Sequence, residues 1–263
     1  MSVDVRSQYA LQSRSGEFAG YLNTFGAEPV VSERFGTNGE ESPDSQDSEA
    51  NSPLAFQFSG TGAAGRAAVE SCIAGQFQQV YGAQLRHYMP WLLSYGKGQR
   101  IHGVLGMRRA GSEPLFLEQY LDEPVESLLE SRAGVPVNRT DIVEIGNLVA
   151  TARGGSRLLF LMLAELFAAA DLTWAIFTAT PEVQHLLQKL TDDQLVLCRA
   201  DGARLGAELA DWGTYYNTRP AVVAVNVRAE RERRLQRPLI SELLEVCRPQ
   251  ATAFARQLVE ASV

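Results

Sequence analysis

The chain has 263 residues, 45% of them hydrophobic and 21% charged, which is enough apolar length to bury a core and excludes fibrous, collagen-like and mainly disordered classes. Its formal net charge of −7 is concentrated at the start, since residues 1–60 hold nine of the 31 acids and only three of the 24 basic residues. The remainder is close to neutral and offers no broad electrostatic footprint for nucleic acid.

In chain order, residues 1–52 contain the stretch SERFGTNGEESPDSQDSEANSP, which has one aromatic residue and no periodicity. It cannot bury enough surface to offset its chain entropy, so a flexible acidic leader is expected there, followed by one domain over 53–263. The domain opens with a short strand, Leu54, Phe56 and Phe58 alternating with polar or small residues. Val69, Cys72, Ile73, Phe77, Val80, Tyr81, Leu85 and Tyr88 then recur at helical steps, Pro90 interrupts them, and Trp91–Tyr95 reads as a second helical piece. Ile101–Arg108 and Leu115–Tyr120 read as the two strands of a hairpin. A short helix over Pro124–Ser131 precedes a strand, Ile142–Ala150, which runs through TARGGSR into a helix over Ser156–Ala170. Trp174–Ala179 is a strand, and Thr180-Pro181-Glu182 is a helix start with a threonine cap and proline in the first turn. Strands at Leu195–Arg199 and Ala221–Val227 and helices from Arg228 onward complete an α/β domain, a single mixed sheet flanked by helices.

Cys72, Cys198 and Cys247 are odd in number and far apart, and His87, His102 and His185 are equally scattered, so neither a disulfide framework nor a metal site is expected. The first residues lack a basic end followed by an apolar run, so no secretory signal is expected. The most apolar stretch, Leu158–Ala170, is far shorter than the roughly 20 residues that span a bilayer. The expectation is a cytoplasmic protein without a transmembrane segment.

The most informative stretch is DIVEIGNLVATARGGSRLLF, residues 141–160. A strand that ends in a glycine turn and feeds a helix gathers unpaired N–H groups and the positive end of a helix dipole at one spot, which favours phosphate. The spacing is neither a dinucleotide fingerprint nor a Walker A loop. Arg153 and Arg157 flank Gly154, Gly155 and Ser156 as phosphate contacts or as solvated side chains. Glu144 lies in an apolar strand on the face of Ile142, Gly146 and Leu148; it is either a general base or amine anchor, or a structural hydrogen-bond acceptor. Glu118 raises the same question. Two such acids on neighbouring strands would receive a positively charged acceptor. The arginines at 228, 231, 233, 234 and 237 form either a patch for a carrier protein or lipid headgroups, or a helix laced with ion pairs. No nucleophile elbow is present and no cysteine has an adjacent base, so a covalent acyl-enzyme is not expected.

Thr151-Ala152-Arg153-Gly154-Gly155-Ser156 resembles the pyrophosphate turn of the GNAT acyltransferase superfamily, with Thr151 in place of its usual Gln or Arg, and the element order over Pro53–Val227 resembles that superfamily too. Glu144-Ile145-Gly146-Asn147-Leu148 is similar to a stretch of acyl-homoserine-lactone synthases, with Asn147 in place of their Arg. The segments Val69-Glu70, Tyr81-Gly82-Ala83, His87–Pro90, Leu117–Leu121, Val143–Ala150, Gly155–Arg157 and Trp212–Tyr216 together resemble the thermostable hemolysin family. These resemblances imply an N-acyltransferase that moves an acyl group from acyl-CoA or an acyl-phosphopantetheine carrier protein to a small amine by direct attack, without a metal. They place the donor along Leu148, Val149 and Ala150 and at Arg153–Arg157, a backbone N–H of Leu148 or Val149 against the developing oxyanion, Glu144 or Glu118 as base and Tyr215 or Tyr216 as general acid. The alternative is a non-catalytic acyl- or lipid-binding protein.

Removing residues 1–52 should leave the domain folded. A loss of cooperative thermal unfolding in the truncated chain would show instead that this segment packs against the domain.

Overall fold

The computed structural model describes residues 54–150, 155–236 and 238–260, so the leader, Arg153 and Gly154 lie outside the described residues. The strands are β1 (Leu54–Ser59), β2 (Trp91–Lys97), β3 (Arg100–Arg109), β4 (Ile142–Ala150), β5 (Trp174–Ala179), β6 (Leu195–Arg199) and β7 (Ala221–Asn226). The helices are α1 (Arg66–Tyr81), α2 (Val125–Ala133), α3 (Gly155–Ala169), α4 (Pro181–Leu190), α5 (Val227–Leu235) and α6 (Pro238–Glu260), joined in places by 3-10 turns at Phe116–Tyr120, Gly202–Trp212 and Tyr215–Thr218. One seven-stranded sheet runs β1-β2-β3-β4-β5-β7-β6, antiparallel throughout except for the parallel pair β4 and β5. The expected single mixed sheet flanked by helices is therefore the observed fold.

Three expected elements are corrected. The helix read through Leu85 and Tyr88 ends at Tyr81, where Gly82 caps it in the left-handed region at φ 68°. Trp91–Tyr95 is a strand, not a helix, and it pairs with both β1 and β3. Its residues Leu92 and Leu93 are both fully buried because helices cover both faces of the sheet, so the segment shows an unbroken apolar run instead of alternation. Leu115–Tyr120 is not the second hairpin strand; residues 116–120 form a 3-10 turn. With three residues per turn, Leu117 and Tyr120 fall on the same side, and both are buried.

One face of the sheet packs against α3 and α6 through Leu159, Met162, Leu166, Phe254 and Leu258. On the other face α1 covers β2, β3 and β4 through Val69, Ile73 and Phe77, while α2 and the 116–120 turn cover β4, β5 and β7 through Leu117, Val125 and Leu129. The two coverings leave a gap between them above β4. The arginines of α5 are held in ion pairs, Arg228 with Asp171, Arg231 with Glu165, Arg233 with Asp193 and Arg234 with Glu230. No helix among the described residues is long and apolar enough to cross a membrane.

The segment after α1 runs beside that gap and is fixed by one buried side chain. The Arg66 guanidinium donates to the carbonyls of Ser59 (3.0 Å), Met89 (2.7 Å) and Pro90 (2.8 Å) and to the Glu70 carboxylate (2.7 Å). Replacing Arg66 with Met would strand three carbonyls and a carboxylate, so stability to urea should fall by about 3 kcal/mol or more. A loss under about 1 kcal/mol would mean that water takes over these contacts.

Candidate active site

β4 and β5 are paired only from Ile142 and Trp174 to Ile145 and Phe177. Beyond that point β4 continues to Ala150 beside β3 alone, and there it bulges: Gly106 faces Gly146 and Val104 faces Val149, so Asn147 and Leu148 together oppose Leu105. Asn147 carries the bulge in the left-handed region at φ 51°, a conformation asparagine tolerates better than most residues. Its side-chain oxygen accepts from the Met89 N–H at 2.9 Å. A β-carbon on Gly106 would fall 2.6 Å from the β-carbon of Met89, and one on Gly146 would fall 2.7 Å from its terminal methyl. The two facing glycines thus make room for Met89 to lie across the bulge.

Above this parting of the strands is a cavity of about 350 Å³. Its walls come from the end of α1 and residues 85–89, from β3 and residues 144–148 of β4, from 177–183, and from the 208–216 segment. Glu144 lies on the wall and is only 2% exposed. Its carboxylate accepts the N–H groups of Phe116 and Leu117, both at 2.9 Å, which are free donors at the start of the 3-10 turn. Burial pushes the Glu144 carboxyl up to about 7, while the two backbone N–H groups and the nearby Arg108 charge pull the other way. Structural acceptor and cavity-lining acid are thus combined in one side chain.

Glu118 faces elsewhere. It accepts from Leu115 N (2.7 Å) and Val125 N (3.2 Å) and is gripped by Arg139 at 2.7 and 2.8 Å. The bond from Arg139 holds its carboxyl below the usual range, burial opposes this, and Glu118 is not on the cavity wall. The expected pair of acids on neighbouring strands does not form, because Glu118 sits in a turn and belongs to the Arg139 and Glu126 cluster.

Tyr215 and Tyr216 both line the cavity. The Tyr215 hydroxyl donates to the Thr178 carbonyl at 3.0 Å, and burial raises its pKa well above the ordinary phenol value. The Tyr216 hydroxyl shares a hydrogen bond with that of Tyr120, and burial pushes Tyr216 up to about 12. Both are neutral phenols at pH 7, able to give a proton and unable to act as bases. With Phe77, Tyr81 and Trp212 they form an aromatic wall whose ring centroids lie 5.1–6.4 Å apart.

Of the residues assigned to the donor, Leu148 lines the cavity. Val149 and Ala150 remain in the ladder with β3 and are not on the wall, and Gly155, Ser156 and Arg157 open α3 directly after residues 151–154, which lie outside the described residues. Sequence reasoning missed Met89, Arg108, Phe116 and Thr178 as cavity residues. Arg108 alone carried a signal, as a charged residue alternating with Met107 along β3.

Residues 60–231 match the family model described as thermostable hemolysin. No curated protein matches the chain in sequence. Among solved structures, the chain is similar to FeeM, an N-acyl amino acid synthase from uncultured soil microbes, at 12% identity and TM-score 0.48, covering 70% of this chain and 95% of that one. It is also similar to the AHL synthase LasI (11% identity, TM-score 0.45, covering 67% and 91%) and to TofI in a ternary complex with an inhibitor and MTA (14%, 0.46, covering 68% and 96%).

The raised pKa of Glu144 has a consequence for stability. Below about pH 4.5 the carboxyl is protonated in both the folded and the unfolded chain, and its contribution is fully present. As pH rises the unfolded chain ionises first, so that contribution is lost progressively until the folded carboxyl ionises near 7. The loss is on the order of 3 kcal/mol. Stability of the wild type between pH 5 and 8 should therefore decline relative to Glu144→Gln, and parallel unfolding curves for the two proteins would place the carboxyl at an ordinary pKa.

Proposed function

The chain belongs to the thermostable hemolysin family, and we propose that this member is an N-acyltransferase whose cavity brings an acyl thioester and an amine together. The observation that carries this reading is the parting of β4 and β5 at a bulge, with a buried carboxyl of pKa about 7 beside it. An extended pantetheine arm needs backbone partners along its length, and a strand edge freed from its neighbour offers them.

In this reading the donor is acyl-CoA or an acylated carrier protein, with its phosphates at the turn before α3 and at Gly155, Ser156 and Arg157, where unpaired N–H groups and the helix dipole favour negative charge. The thioester carbonyl lies at the bulge, where Leu148, the one of the two expected donors on the cavity wall, supplies the backbone N–H for the oxygen. The amine nitrogen attacks the carbonyl carbon, a C–N bond forms and the oxygen becomes an oxyanion. Glu144 takes the proton that the nitrogen sheds; its pKa near 7 suits a base working at neutral pH. The oxyanion collapses, the C–S bond breaks, and the thiolate leaves with a proton from a neutral phenol. Tyr216 fits that last role better than Tyr215, whose proton is committed to the Thr178 carbonyl. The turn and order likenesses to GNAT acyltransferases support the same assignment.

The test is release of free thiol from a series running from acetyl-CoA to palmitoyl-CoA, and from acylated carrier protein, in the presence of primary amines. Glu144→Gln removes the base and keeps one of the two hydrogen bonds from Phe116 and Leu117, since the amide nitrogen that replaces the other oxygen is a donor. Transfer should fall by about 10²- to 10⁴-fold with donor affinity little changed. Wild-type transfer rates in that variant would make Glu144 purely structural. Tight acyl-thioester binding without turnover in the wild type would favour a non-catalytic acyl-binding protein.

A further inference from the structure

Glu144 is not the only charge on its side of the cavity. Antiparallel pairing sets Arg108 of β3 directly opposite Glu144 of β4, so their side chains leave the same face of the sheet, and both line the cavity. Arg108 is half-buried, and no hydrogen bond or ion pair holds its guanidinium among the described residues. The contrast with other buried or half-buried arginines is clear: Arg66 contacts four groups, Arg139 holds Glu118 and Glu126, and Arg231 holds Glu165. Its charge acts on Glu144 across the pair, yet none of the guanidinium's five N–H donors is used in a hydrogen bond among the described residues, so a ligand's anion would find them open.

The donor's phosphates do not fit that place. In the acyl-transfer reading they lie beyond Ala150, six residues along β4 from Glu144, about 20 Å at the rise of a strand. The anion at Arg108 must then belong to the acceptor. A dianionic group is disfavoured, because Glu144, Glu208 and Asp211 also line the cavity, with Arg86 neutralising Asp211. A monoanionic, planar carboxylate matches the guanidinium fork and leaves the acceptor electrically neutral overall. Since the amine must approach Glu144, the two charges of the acceptor have to be as close together as Arg108 and Glu144 are.

Resting on the acyl-transfer reading, we propose that the acceptor is an amino acid, its carboxylate bound by Arg108 and its amine directed to Glu144. Arg108 is then the residue that makes the enzyme specific for amino acids over plain amines.

The experiment compares, on the full chain, leucine with leucinamide, 3-methylbutylamine and the aminophosphonate analogue of leucine. Binding is read by calorimetry, and kcat/KM is read with an acyl-CoA donor. Wild type should prefer leucine to leucinamide and to the plain amine by about 10- to 100-fold, the range expected for hydrogen bonds to a charged group. In Arg108→Gln that preference should shrink toward unity, with the loss on leucine exceeding the loss on the amine, and Arg108→Lys should recover part of it. An equal loss on all acceptors would overturn the proposal and make Arg108 a general electrostatic or structural residue, and preference for the aminophosphonate would assign it to phosphate. If Arg108→Gln does not fold, the leucine to leucinamide ratio of the wild type decides alone, and a ratio near one sinks the proposal. Transfer to plain amines with no carboxylate effect would leave the acyl-transfer reading standing and the amino acid refuted. Leucine binding that depends on Arg108, without transfer to any acceptor, would do the reverse.

Discussion

The carboxylate of Glu144 joins two layers of the fold, the sheet and the turn that covers it. It stands on β4 and receives the first free N–H groups of the 116–120 turn, so the turn cannot shift without stranding two donors and a charge. Each charge-assisted bond is worth about 1.5–3 kcal/mol. Those bonds do not cancel the penalty of burial, which is why the group titrates near 7 and not near 4. A carboxylate held this way is both rigid and basic, and the rigidity arises from the same bonds that keep it from being more basic still.

The rest of the cavity follows from a topological fact. Among the described strands, β4 and β5 are the one parallel pair, and a parallel pair is joined by a crossover instead of a tight hairpin. The crossover here is α3, which leaves β4 at its far end and lets the two strands diverge after four paired positions. The bulge at Asn147 then turns part of β4 out of the β3 ladder as well, so this stretch loses regular partners on both sides. Met89 bridges the opening from above, and Arg66 fixes the segment that carries it by binding the carbonyls of Met89 and Pro90.

Much of this was legible in the sequence. The β4 run and α3 are local patterns, and the Thr180 cap is a local signal too; its hydroxyl accepts from Val183 N as expected. What was not legible depended on distant partners. The strand character of Trp91–Lys97 comes from being covered on both faces, which leaves no alternation to read. Glu118 raised the same question as Glu144 because both interrupt apolar runs, and its place in a 3-10 turn and its bond to Arg139, twenty-one residues later, separate their roles. The bulge is invisible as a pattern, since it is a count of two residues against one across strands some forty residues apart.

The same logic extends to the other buried acid. Glu165 lies on α3, ten residues past Gly155, and is 2% exposed. Arg231 of α5 holds one of its oxygens at 2.7 Å and Arg248 of α6 holds the other at 2.9 Å. Removing one partner from a buried pair of this kind typically costs about 3–5 kcal/mol, so the helix is clamped at its middle by the C-terminal part of the chain. A helix dipole is useful only if its end points at a fixed place, and the direction of α3 sets where its first N–H groups lie relative to the end of β4. The C-terminal helices contribute no described residue to the cavity wall, and in the acyl-transfer reading they would act on the site through the orientation of α3. Glu144 fixes the acid end of the cavity from one face of the sheet, and Glu165 fixes the helix beyond its other end from the opposite face.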